Sequence, residues 1–84
     1  MSASIPVDDL RQATLLIAQV HLQLSQQGYP DGVIEMGTNR AYGMAEWHTK
    51  DLSPDIRGRA FLQTLAGELS KVEPWCKKQL AYIQ

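Results

Sequence analysis

From Gln12 to Pro30 the chain contains no Asp, Glu, Lys or Arg. A helix lying on the surface of a small protein normally carries charge on its wet side, so this run restricts what the segment can become. A membrane span would explain the missing charge, but Gln12, Gln19, Gln23, Gln26 and Gln27 interrupt the run too often for hydrocarbon. The start of a helix is signalled by Ser4, Pro6, Asp8 and Asp9: a capping serine, a first-turn proline and two acids at the positive end of the dipole. Its end is signalled by Gly28 with Pro30 beyond it. At 100° per residue, Leu10, Ala13, Leu16, Ile17, Val20 and Leu24 form one broad apolar face, and Leu15, Ala18 and Leu22 form a narrower stripe nearly opposite. A helix over about residues 5–27 that is apolar on two sides has to be covered on two sides.

Length sharpens this demand. Eighty-four residues make one small domain, and such a chain buries only roughly 60–65% of the surface its unfolded form exposes. Small folds commonly gain support from disulfides, a metal or an oligomeric partner. Cys76 is the one cysteine, so no internal disulfide can close. His21, His48 and Cys76 are too scattered for a metal-ligand pattern. Self-association through Leu15, Ala18 and Leu22 is the expectation that remains.

Beyond the first helix, Tyr29-Pro30-Asp31-Gly32 has the residue order of a type I turn. Val33 to Met36 reads as a short strand, and Gly37-Thr38-Asn39-Arg40 as a second turn. Ala41 to about Thr49 then reads as the return strand of a β-hairpin over about residues 33–49. The hairpin puts Tyr42, Met44, Glu46 and His48 on one face and Ala41, Gly43, Ala45 and Trp47 on the other. Ala and Gly are poor strand formers, and Asn39 could instead cap a short helix from Arg40 to His48.

Ser53-Pro54-Asp55 signals a second long helix, over about residues 54–83. Leu62, Leu65, Leu69, Val72, Cys76, Leu80 and Ile83 fall on one narrow face, with Phe61 at its edge and Arg57, Lys71, Lys78 and Tyr82 away from it. Pro74 removes a backbone donor, so a kink or restart is expected near Glu73. The expected architecture is α+β, two long helices flanking a short central hairpin and dimerised through the first helix. An all-α helical hairpin or bundle is the alternative.

Eight basic and nine acidic residues leave a net charge of −1, which argues against a dedicated nucleic-acid binder. The N-terminus lacks the basic start and apolar run of a signal peptide. With a single cysteine, the expected home is a reducing cytoplasm. No residue set specifies a reaction, a cofactor or a metal. Glu46 and His48 read as a polar pair on a strand face, His21 as a hydrogen-bonded interface histidine, and Cys76 as core packing. Arg40, Tyr42, Trp47, His48, Arg57 and Arg59 concentrate aromatic and guanidinium groups in the middle of the chain, the usual composition of a binding surface. The expected function is therefore a non-enzymatic interaction or regulatory module acting on another macromolecule, a protein in the first place. The alternative is a small dimeric nucleic-acid or nucleotide-binding regulator using Arg40, Arg57, Arg59 and the central aromatics.

Overall fold

The computed structural model describes residues 5–83, the side chain of Ile83 excepted. Four helices follow one another: α1 (Val7–Gln26), α2 (Asp31–Thr49), α3 (Pro54–Leu69) and α4 (Val72–Ile83). No strand occurs among the described residues. The α+β expectation is therefore wrong, and the fold is a helical bundle. The segment read as a hairpin is one continuous helix, and Asn39 lies in its interior rather than at its start.

The physical reason is in the spacing. The buried positions of α2 are Ile34, Gly37, Thr38, Ala41, Ala45 and Thr49, separated by three or four residues as one side of a helix requires. A strand would have put Ala41 and Ala45 on the same face as Gly43 and Trp47, yet the first two are buried and the second two are exposed. The supposed turn at residues 29–32 begins the helix instead. Pro30 is extended, with φ −62° and ψ 138°, at the N-cap of α2. Its carbonyl accepts from the amides of Val33 and Ile34, both at 3.1 Å. Asp31 then sits in the first turn, where the helix dipole favours an acid.

The end of α1 was legible. Gly28 has φ +96°, a left-handed conformation that glycine adopts without a Cβ penalty. The Gly28 amide donates to Ser25 O at 3.0 Å and the Tyr29 amide to Leu24 O at 3.1 Å, the paired bonds of a Schellman stop. Leu24 and Tyr29 both belong to the core. At the other end the proposed cap at Ser4 lies outside the described residues, and Pro6 occupies the N-cap. Ser53 likewise stands at the N-cap of α3 with Pro54 behind it, but its side chain makes no capping bond.

The expected long final helix is two helices. α3 ends at Leu69 and α4 starts at Val72, so Pro74 falls in the first turn of α4. There its missing N–H would have had no acceptor within the helix. Phe61 and Leu65 of α3 and Cys76 of α4 are fully enclosed, and Leu69 and Val72 are buried beside them. α3 packs against both α2 and α1, and α4 rests on α2.

That last contact depends on Gly37. A Cβ placed there would lie 2.8 Å from Val72 Cγ1 and 3.1 Å from Trp75 Cε3, too close to be accommodated unless these α4 side chains shift. Gly67, on the open side of α3, would present its Cβ to nothing within 4 Å. The two glycines should therefore respond oppositely to alanine. Gly67→Ala gains helix propensity and should stabilise by about 0.5–1 kcal/mol. Gly37→Ala gains the same propensity but overpacks the α2–α4 contact, for a net loss of about 1–2 kcal/mol. Urea unfolding of both variants against the wild type checks this.

Candidate functional site

The six central residues expected to form one surface are divided among three places. Tyr42 and Arg57 turn inward. Tyr42, half-buried on α2, meets Phe61 edge-on with ring centroids 5.2 Å apart and planes at 78°. Arg57 is only 6% exposed, so its assignment to the outer side of the last helix is overturned. Its Nε is enclosed without a hydrogen-bond partner, and no ion pair among the described residues includes it. Burial first, and Glu46 second, push the Tyr42 phenol above its ordinary pKa, while the charge of Arg57 pulls it down. Phenol, carboxylate and guanidinium are thus neighbours across the α2–α3 seam.

Arg59 goes elsewhere. It lines a shallow groove between the start of α1 and the start of α3, with Pro6, Asp9, Asp55 and Gln63. Arg40, Trp47 and His48 stay on the outside of α2. Arg40 and Trp47 share a line with Met36, Gly43 and Lys50, spaced four, three, four and three residues apart, which is the line opposite the buried positions. His48 is exposed on its flank. Trp47 is 64% exposed and Met36 60%. Lys50 Nζ sits 3.8 Å above the Trp47 ring, a cation–π contact that orients the indole. Between Trp47 and Arg40 lies Gly43, where a Cβ would meet nothing within 4 Å. The result is a short exposed band with Met36 at one end, Trp47 beneath Lys50 at the other, and a side-chain-free notch between them. Met36 and Gly43 escaped the sequence reading because both were assigned to hairpin strands.

The stripe on α1 is also open. Leu15, Ala18 and Leu22 are all exposed and border two shallow grooves along that helix. His21 Nε2 lies 3.3 Å from Asp31 Oδ1 at the edge of one of them, tying α1 to the start of α2.

Among the described residues no three His, Cys, Asp or Glu side chains come together as metal ligands would. Cys76 is fully buried, with Sγ 3.9 Å from Val33 O. Burial, and then Glu73, push its thiol above the ordinary pKa, away from the thiolate a nucleophile needs. Among the described residues no helix is long and apolar enough to cross a membrane. No protein family matches the chain, and neither the curated proteins nor the solved structures include one that matches it.

The setting of Arg57 makes a prediction of its own. Among the described residues Arg57 makes no ion pair, its stem is held by packing, and the desolvation of its enclosed Nε is met by no acceptor. Arg57→Met keeps most of the stem and removes the charge, so it should leave stability unchanged or raise it by about 1–2 kcal/mol. Arg57→Ala removes the stem as well and should cost about 1–3 kcal/mol through lost packing. Thermal melts of the two variants decide between this account and one in which the guanidinium itself holds α2 to α3.

Proposed function

We propose that this protein is a non-enzymatic interaction module. It binds another protein through the outer face of α2 and associates with itself through the outer face of α1. The observation that carries the reading is the exposure of Trp47, held under Lys50 beside the notch at Gly43, with Arg40 and Met36 along the same line. Tryptophan and arginine are the residues most enriched among those that dominate binding energy, and they act best where a pocket receives or surrounds them. A lone buried cysteine suits work in a reducing cytoplasm.

A protein partner is favoured over a nucleic acid by where the arginines lie. Counting phosphates requires cations along a shared track. Here Arg57 is enclosed, Arg59 lines the α1–α3 groove, and Arg40 stands on the far side of α2. The band on α2 instead alternates apolar and cationic groups on the scale of one partner helix or loop.

Capture from an extract of the source cells tests this reading with the wild type and Trp47→Ala side by side. The substitution should weaken retention of a stoichiometric protein by about 1–3 kcal/mol. Helical content and melting temperature should change little, because the indole supports nothing in the core. Equal retention by both proteins with the fold intact would remove α2 as the binding face. Loss of all bound material on nuclease treatment would point to nucleic acid instead.

A further inference from the structure

The two shallow grooves on the outside of α1 form one continuous surface. The first is lined by Val7, Leu10, Arg11, Thr14 and Leu15, and the second includes Thr14, Ile17, Ala18, His21, Leu22 and Asp31. Thr14 is common to both. Within the lining of this surface the formal charges stand at opposite ends, Arg11 near the start of α1 and Asp31 near its finish, while Asp8 is exposed at the rim one turn before Arg11. Arg11 has no ion-pair partner among the described residues, and the exposed Asp31 carboxylate meets only His21. Between these ends the lining carries no Asp, Glu, Lys or Arg, with Ala18 as a low point between the projecting Leu15 and Leu22. Gln12, Gln19 and Gln26 follow one flank of the helix and are exposed, a rim that hydrogen-bonds without repelling.

We infer that the occupant of this surface is a second copy of the same chain, its α1 running antiparallel about a two-fold axis between Thr14 and Ala18. This inference rests on the self-association proposed above and specifies its geometry. A lining with a cation at one end, an anion at the other and no formal charge between is complementary to itself when turned end for end, as an isologous interface requires. With the axis midway between Thr14 and Ala18, Arg11 of one copy stands level with His21 of the other. It therefore faces Asp31 of that copy, which lies beside His21. Ala18 is then level with Thr14 of the second copy, so the backbones can approach, and Leu22 is level with Leu10. A parallel pair would set Arg11 against Arg11 and Asp31 against Asp31, opposing like charges at both ends. A lipid surface is a poorer fit, because a helix that lies on anionic lipid carries a basic rim and here the rim is glutamine with Asp8 at its start.

Sedimentation across a wide concentration range, with far-UV circular dichroism on each variant, tests the pairing. The wild type should show a reversible monomer–dimer equilibrium. Arg11→Asp and Asp31→Arg should each raise the dimer dissociation constant about tenfold or more. The double variant, whose charges are exchanged rather than lost, should return to within about threefold of the wild type. Cross-linking covers the case in which a charge reversal disturbs folding. An equimolar mixture of Arg11→Cys and Asp31→Cys proteins, joined by a short thiol-reactive linker, should form the mixed dimer in preference to either homodimer. The buried Cys76 stays silent under native conditions. A wild type monomeric at every concentration would overturn the pairing together with the self-association it rests on. A dimer in which the double variant fails to recover, or in which Arg11→Cys links chiefly to itself, would leave self-association standing and overturn the antiparallel arrangement.

Discussion

The fold depends on one close contact, the inner face of α2 against Phe61 and Leu65 of α3. Apart from Ile34, the buried residues of α2 are glycine, alanine and threonine, and small side chains let two helices approach until the large residues of one fill the hollows of the other. Phe61 and Leu65 are both fully enclosed as a result. The buried hydroxyl of Thr49 is satisfied within the helix by Ala45 O at 2.7 Å, so this tight face carries no orphaned hydroxyl at that position. Gly37 extends the same device to α4. With α3 serving both α1 and α2, each of those helices spends one side on the core and leaves the other uncovered.

This arrangement explains which parts of the chain could be read in advance. The two ends of α1 and the start of α3 are marked by residues whose local chemistry acts alone: Pro6, the acids behind it, Gly28, Pro54 and Asp55. The stripe of Leu65, Leu69, Val72 and Cys76 stood out because large apolar residues marked it. α2 was misread because its inward face is written in Gly37, Ala41, Ala45 and Thr49, which are nearly silent in a hydrophobic pattern. The proline–aspartate–glycine sequence at residues 30–32 also serves a turn and a helix start equally well. The adverse sign was present, since alanine and glycine suit a strand poorly. Arg57 was misjudged for a related reason: a formal charge reads as surface, whereas a long aliphatic stem can be buried behind it.

The candidate site was legible in composition and not in arrangement. Arg40 and Trp47 share the outer line of α2. The helical period that removed the hairpin also brought Met36 and Gly43 onto that line and took Tyr42 and Arg57 off it. The apolar stripe on α1 kept its predicted membership, because a helix reading of that segment was already correct. Two open faces on adjacent helices, one uncharged between charged ends and one built around an indole, differ enough in chemistry to serve different partners. A copy of the chain on α1 would leave the band on α2 free, so assembly and recognition need not compete.

The central claim is that recognition takes place at the exposed indole of α2. Tryptophan emission reports on it directly once Trp75, the other indole, is replaced by phenylalanine, which keeps an aromatic ring against Gly37. In this Trp75→Phe protein, free Trp47 should emit as a solvent-exposed indole and be readily quenched by acrylamide. Adding the protein partner recovered by capture should shift the emission to the blue and protect it from quenching, in proportion to the amount bound. Saturating partner binding, verified by sedimentation, with Trp47 still emitting and quenching as in the free protein would contradict the account.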